Sequence, residues 1–319
     1  MHSADPATND DWPSVLYHYT DAAGLMGILK PAWPQEIQAP VAGGAALLRA
    51  SDLRYMNDAR ELSFGAEVMC ERLRENAASK HDEMGEAFEQ IADRLSQDLF
   101  APDARHLRAF AACFCAEGDL LSQWRGYAGG VGGFAIGFPI DVLRFRAIGV
   151  AARPPLVPLT SWSPIQDVLY GEARATAEID AFLATLRKGW GLEPNRRWVV
   201  LDTDGKPHIE WLMVSVYRLV ARLKHAAFEE EREYRLIYVG GEGHLVSMRA
   251  AQSGLIPYVS FAMNLPDKDR NPVPEATVAD IVVGPGKDQR GQVAAVRDLL
   301  QAAGYPPTDV RASEAPYRG

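Results

Sequence analysis

The chain has 319 residues, 47% hydrophobic and 24% charged, which is enough for a sizeable core in one large domain or two small ones and excludes disorder beyond the ends. A formal net charge of −9 and a sequence pI near 5.3 exclude a broad nucleic-acid-binding face and leave room only for a local basic pocket. Three cysteines, Cys70, Cys113 and Cys115, exclude a disulfide framework; with no signal-like N-terminus and no run near ~18 apolar residues, a cytoplasmic protein without a membrane span is expected.

Residues 1–13 are polar and Pro-containing and read as a flexible N-terminal arm, with a single domain from 14 to 319. The first element is the strand at Val15 to Tyr19, after which Thr20 or Asp21 caps a helix that stops at Pro31. A Pro- and Gly-rich loop leads to the strand ALLRAS and then to DLRYMNDARE, where Asp58 can cap a helix with Glu61 reaching back to it. Leu62, Ala66, Met69 and Leu73, followed by Met84, Phe88, Ile91, Leu95 and Leu99, recur at helical spacing, so residues 59–100 read as a helical hairpin.

The stretch from Ala109 to Phe138 encloses a polar, aromatic and Gly-rich insert between two apolar runs, AFAACFC and GFAIGF, both read as buried strands. Asp119 can cap a short helix carrying Ser122, Trp124, Arg125 and Tyr127, with Gly129, Gly130, Gly132 and Gly133 turning the chain back. The i, i+3 spacing of Trp124 and Tyr127 equally suits core aromatics. PIDVLRFR reads as a short helix and RPPLVPLTSW as an irregular edge strand.

A second helical insertion follows near 171–225, with helices over 171–190 and 209–225 and a turn at Asp204-Gly205 between them. In KHAAFEEEREYRLIYVG an acidic run passes into a strand, on one face of which Glu231, Glu233 and Arg235 would lie. GLIPYVSFAM and TVADIVVGPG are further strands, ahead of a helix over 289–303 and a strand over 308–312. Strands scattered among helices make the expected fold class α+β, a mixed or antiparallel central sheet flanked by helices.

Metal and common cofactor signatures are missing. The histidines lack H-x-x-x-H or H-E-x-x-H spacing, Cys113-x-Cys115 has no second ligand pair, and there is no Walker loop or G-x-S-x-G elbow. Gly129 to Gly137 does not open a long helix and reads as a hairpin turn, not a dinucleotide fingerprint.

LYHYT, ASDLRYMND with Glu61, DLLSQWRGYA and KHAAFEEEREYRLIYVG followed by ADIVVGPG together resemble the bacterial domain of unknown function family twenty-nine seventy-one, from Leu16 to about Tyr317. A weaker resemblance is to the ADP-ribosyltransferase superfamily, which combines a His or Arg on an early strand, a Tyr or Ser on a middle one and a Glu on a late one. That resemblance implies an ADP-ribosyltransferase-like sheet and NAD as substrate. His18 would hold the NAD ribose or phosphate; Ser122, Trp124 or Tyr127 would line the nicotinamide side; and Glu231-Arg232-Glu233 would be the E-x-E signature.

ADP-ribose transfer develops positive charge at the ribose carbon, which a fixed carboxylate stabilises. Glu233 is the first candidate, with Glu231 as general base or acceptor-orienting group and His18 beside them. The cofactor-binding set comprises Tyr19, Thr20, Ser122, Trp124, Arg125, Tyr127, Lys224 and Arg235. Arg125, Lys224, Arg235 and Arg54 are candidates for the diphosphate, and Tyr19, Trp124 and Tyr127 for stacking on nicotinamide or adenine. Asn57, Asp58 and Glu61 would order a loop or touch substrate.

The expected function is an NAD-consuming enzyme, an ADP-ribosyltransferase acting on a protein or nucleic-acid acceptor or an NAD glycohydrolase, in a toxin or defence setting by analogy. One alternative is a non-catalytic sensor that binds a nucleotide or a protein. Another is an RNA-directed nuclease or phosphotransferase using His18, Arg125 and Lys224 around a phosphate, against which the acidic charge counts.

Overall fold

The computed structural model describes residues 12–30, 45–56, 59–98, 107–127, 132–145, 147–150, 165–192, 199–240, 246–251, 254–263 and 276–316. In chain order the elements begin β1 (Val15–Thr20), α1 (Ala22–Leu29), β2 (Ala46–Asp52), α2 (Ala59–Ser79), α3 (Glu83–Asp98), β3 (Arg108–Cys115), α4 (Leu121–Tyr127), β4 (Phe134–Pro139), α5 (Ile140–Phe145) and β5 (Ala147–Val150). They continue β6 (Ile165–Asp167), β7 (Leu169–Tyr170), α6 (Glu172–Trp190), α7 (Ile209–Val220), β8 (Leu223–Lys224), a 3-10 helix (Ala226–Glu231), β9 (Glu233–Gly240), β10 (Ser247–Ala251), β11 (Gly254–Met263), β12 (Asp280–Val283), α8 (Gln289–Ala302) and β13 (Asp309–Ala312). Helices with mostly antiparallel, partly mixed strand pairing make this an α+β protein.

The chain divides into two compact units. The first comprises Met1–Leu47, Phe114–Ile148 and Ala262–Gly319, and the second Leu48–Cys113 and Gly149–Phe261.

In the first unit β1 pairs antiparallel with β4 from Val15 opposite Pro139 to Thr20 opposite Phe134. β12 lies antiparallel on the other side of β4, and β13 parallel to β12. On the other side of β1, Tyr17 pairs antiparallel with Cys115 at the end of β3. Asp21 caps α1 by accepting from the Gly24 amide at 2.7 Å, as the sequence suggests. α8, capped by Asp288, packs on β12 and β13.

The second unit is built on its helices. Met69 and Leu73 of α2, Phe88 and Ile91 of α3, Ile179 and Leu183 of α6 and Met213 and Val216 of α7 share one buried core, as their helical periodicity demands. Gly65 is a close-approach site, because a Cβ there would lie 2.9 Å from the Val220 carbonyl oxygen. In the same unit β2 pairs antiparallel with β3, β9 is the neighbour of β3, and β6 pairs antiparallel with β9. β10 and β11 form an antiparallel hairpin, and β7 and β8 a short parallel pair.

The helical hairpin, both helices of the second insertion, the turn with Gly205 at φ 78°, and the C-terminal helix and strand all take the predicted form. The second helix of the insertion stops at Val220 because Leu223 and Lys224 pair with β7 instead. Asp119 differs. It does not cap α4; its carboxylate accepts from the Trp124 indole Nε1 at 2.7 Å, from the Glu314 amide at 2.7 Å and from the Ser313 hydroxyl, tying the C-terminal segment to α4. Gly132 has the positive φ expected of the Gly-rich turn, while Gly129, Gly130 and the segment RPPLVPLTSW lie outside the described residues.

Candidate functional site

Four of the residues nominated from sequence meet in the second unit. The chain leaves α7, forms β8, and enters the 3-10 helix with the His225 imidazole Nδ1 accepting from the Ala227 amide. It leaves that helix through Arg232, whose φ of 42° and ψ of 53° place a non-glycine residue in the left-handed region. β9 begins only after it, at Glu233. Glu231 and Glu233 are therefore not on one strand face, which corrects the sequence expectation. Their carboxylates nevertheless converge, because the turn aims Glu231 back at Lys224.

The Lys224 ammonium donates to Glu231 Oε2 at 2.7 Å and to Glu233 Oε2 at 3.1 Å. Arg235 donates from Nε to Glu233 Oε1 and from Nη2 to Oε2, both at 2.9 Å, and from Nη1 to the Ala221 carbonyl at the end of α7. Arg235 and Glu233 stand on the same side of β9 as Ile237 and Val239, which belong to the helical core, and so both are buried. The Tyr170 hydroxyl accepts from the Glu233 amide at 2.8 Å, and the Phe228 ring centroid lies 4.8 Å from the Lys224 ammonium.

Burial works to raise the pKa of Glu233. The charges of Arg235 and Lys224, with hydrogen bonds from Arg235 and the Cys113 thiol, outweigh it and hold the carboxyl at about 2. The Cys113 thiol is pushed well up, first by burial and then by the Glu233 charge, and burial likewise raises the Tyr170 phenol. Among the described contacts two cations meet two carboxylates. Exposure separates the carboxylates, since the Glu231 side chain is 26% accessible and Glu233 only 7%.

In the first unit the structure separates residues that the sequence places side by side. On β1, Tyr19 and His18 face opposite sides of the sheet. Tyr19 meets the edge of Trp124 at 4.7 Å between ring centroids, whereas His18 lies against Phe114 at 5.7 Å. Tyr19 and Trp124, the candidates for stacking, are both buried and bonded within the unit. Tyr19 donates to the Glu117 carbonyl and accepts from the Leu120 amide; Trp124 donates to Asp119 and packs so closely on Gly284 that a Cβ there would lie 2.8 Å from the indole.

Arg125 and Tyr127 occupy the exposed side of α4, and the Ser122 hydroxyl is buried with no hydrogen-bond partner among the described residues. Thr20 ends β1 half-buried, its hydroxyl against Gly24. Asn57 and Asp58 lie outside the described residues; Glu61 lies within α2, and its side chain is outside the description. His18, Tyr19, Thr20, Ser122, Trp124, Arg125 and Tyr127 belong to the first unit, and Lys224, Glu231, Glu233 and Arg235 to the second.

Two groupings escaped the sequence reading. In the first unit the Tyr17 hydroxyl donates to Asp280 Oδ2 at 3.3 Å, and burial raises the pKa of Asp280. In the second, Asp52 is buried between Arg54 and Arg108. Of that group the sequence reading nominates Arg54 alone, as a diphosphate candidate, and the short D-x-R spacing of Asp52 and Arg54 is the local hint to its partner. Among the described residues no cluster of three or more His, Cys, Asp and Glu could hold a metal ion, and no helix is long and apolar enough to cross a membrane.

Residues 123–236 match the model of a family described as "Protein of unknown function (DUF2971)", in line with the resemblance read from the sequence. The matched segment runs from α4 into β9 and includes Trp124, Lys224, Glu231, Glu233 and Arg235. No curated protein and no solved structure matches the chain.

Proposed function

We propose that the protein acts on NAD or a closely related nucleotide, by ADP-ribosyl transfer or NAD hydrolysis, with Glu231 as the carboxylate presented to substrate. The observation that carries this reading is the convergence of Glu231 and Glu233 on one Lys224 ammonium. It makes the acidic run a built cluster with two unlike members. Glu233, saturated by Arg235 and Lys224, is a positioning residue. Glu231 reaches solvent and is placed to stabilise positive charge developing at a ribose carbon.

A second reading, a sensor domain that binds a nucleotide or protein without turnover, draws support from a different observation. Both oxygens of Glu233 are already committed, and the aromatic pair Tyr19 and Trp124 is spent on packing.

Nicotinamide release from NAD by the pure protein, with and without cell lysate, separates the two. The enzymatic reading expects release that falls by about a hundredfold in Glu231→Gln, without lysate for hydrolysis and only with it for transfer. NAD that raises Tm without any release moves the assignment to the sensor. If there is neither release nor a Tm shift, NAD is not the ligand.

A further inference from the structure

We propose that Arg54 and Arg108, held by the buried carboxylate of Asp52, form a clamp for a phosphoryl group. Asp52 ends β2 opposite Phe110 of β3, so Arg108, two residues before Phe110, projects on the same side of the sheet as Asp52. Asp52 Oδ1 accepts from the Arg54 amide at 3.0 Å and from its Nε at 3.1 Å. Oδ2 accepts from Arg54 Nη2 at 2.9 Å and from Arg108 Nε at 2.8 Å and Nη2 at 2.6 Å. The carboxylate is saturated, and the guanidiniums are not. Each spends its Nε and Nη2 side on Asp52 and leaves Nη1 with no hydrogen-bond acceptor among the described residues.

Three features make this a receptor for an oxyanion. Among the described residues two guanidiniums share one carboxylate, so the group they form carries an excess positive charge. Both side chains are fixed, Arg54 by its chelate with Asp52 and Arg108 by the Phe110 ring, whose centroid is 5.2 Å from the guanidinium carbon. Both also reach solvent, with 22% of the Arg54 and 17% of the Arg108 side chain accessible. A tetrahedral oxyanion with several acceptor oxygens matches free donors from two planar cations. Tyr55, next to Arg54 and exposed, offers a ring on which a base attached to the phosphate could stack.

The clamp stands independently of the NAD reading, since pyrophosphate carries neither ribose nor nicotinamide. The test is calorimetric titration of the full chain with inorganic pyrophosphate and with ADP. Arg54→Lys and Arg108→Lys keep a cation for Asp52 but lose the free Nη1 group, and each should weaken pyrophosphate binding about tenfold or more. Arg74→Gln, which removes an exposed charge from α2, should leave binding unchanged. Circular dichroism and Tm confirm that the lysine variants fold. ADP binding more tightly than pyrophosphate, with the advantage lost in Tyr55→Ala, supports the clamp and names a nucleotide as its source; equal affinities support it with a free phosphate compound. No pyrophosphate binding by the wild type, or the same affinity in both lysine variants, overturns the proposal.

Discussion

Glu233 and Asp52 are both buried carboxylates of the second unit, and each is gripped by two cations, yet their settings differ in one respect. Around Glu233, Lys224 and Arg235 are answered by a second carboxylate, Glu231. Around Asp52, Arg54 and Arg108 are answered by nothing further among the described residues. The difference follows burial. Lys224 and Arg235 have 3% of their side chains exposed, where an unbalanced charge would cost several kcal/mol, of the order known for unpaired buried ions. Arg54 and Arg108 keep enough contact with water to carry an excess charge. A closed, neutral cluster holds backbone in place, whereas an open, unbalanced one retains electrostatic attraction for a ligand.

The strongest way to break this comparison is Glu233→Ala. It removes the buried carboxylate that Arg235 and Lys224 both bind, and should cost about 3–5 kcal/mol, read as a lower urea midpoint at neutral pH. The same carboxylate gives stability a pH signature. Its folded pKa, about 2, lies below the ordinary 4.5, so its contribution is complete above 4.5 and is lost as pH falls from there towards 2. The variant should show a shallower fall in stability across that window than the wild type. An unchanged slope would mean that Glu233 does not sit between its two cations in solution.

Asp52→Asn should have a smaller effect, about 1–3 kcal/mol, because the two guanidiniums it releases can turn partly to water. Their mutual repulsion then has no internal relief. Added pyrophosphate should therefore raise the Tm of Asp52→Asn more than that of the wild type, and should do nothing for Glu233→Ala, whose stranded cations are enclosed. Pyrophosphate that rescues both variants alike would erase the distinction between open and closed clusters.

The elements were legible where burial follows a local period, as in Met69 and Leu73 of α2 or Phe88 and Ile91 of α3. Site chemistry was legible only where its members are close in sequence. The acidic run pointed to Glu231 and Glu233, but alternation could not anticipate the left-handed Arg232 that puts them on different elements. Arg108 was invisible as a partner of Asp52, because strand register across 56 positions joins them. Tyr19 and Trp124 show a different limit. An aromatic residue in a polar insert looks the same whether its polar atom awaits a ligand or, as here, bonds to Glu117, Leu120 or Asp119.

The smallest stability effect belongs to Glu231→Gln, and it sharpens the comparison most. Lys224 keeps Glu233, the new amide oxygen still accepts from the ammonium, and the site is a quarter open to solvent, so the loss should stay within about 1 kcal/mol. What changes is charge. The cluster goes from neutral to net positive and becomes, in that respect, like the Asp52 clamp. If charge balance alone decides where an anion binds, Glu231→Gln should gain a weak, salt-sensitive pyrophosphate affinity beyond that of the wild type, visible as a second binding event in the titration. A single event, unchanged in the variant, would show that enclosure of Lys224 and Arg235, and not their neutrality, keeps anions away from β9.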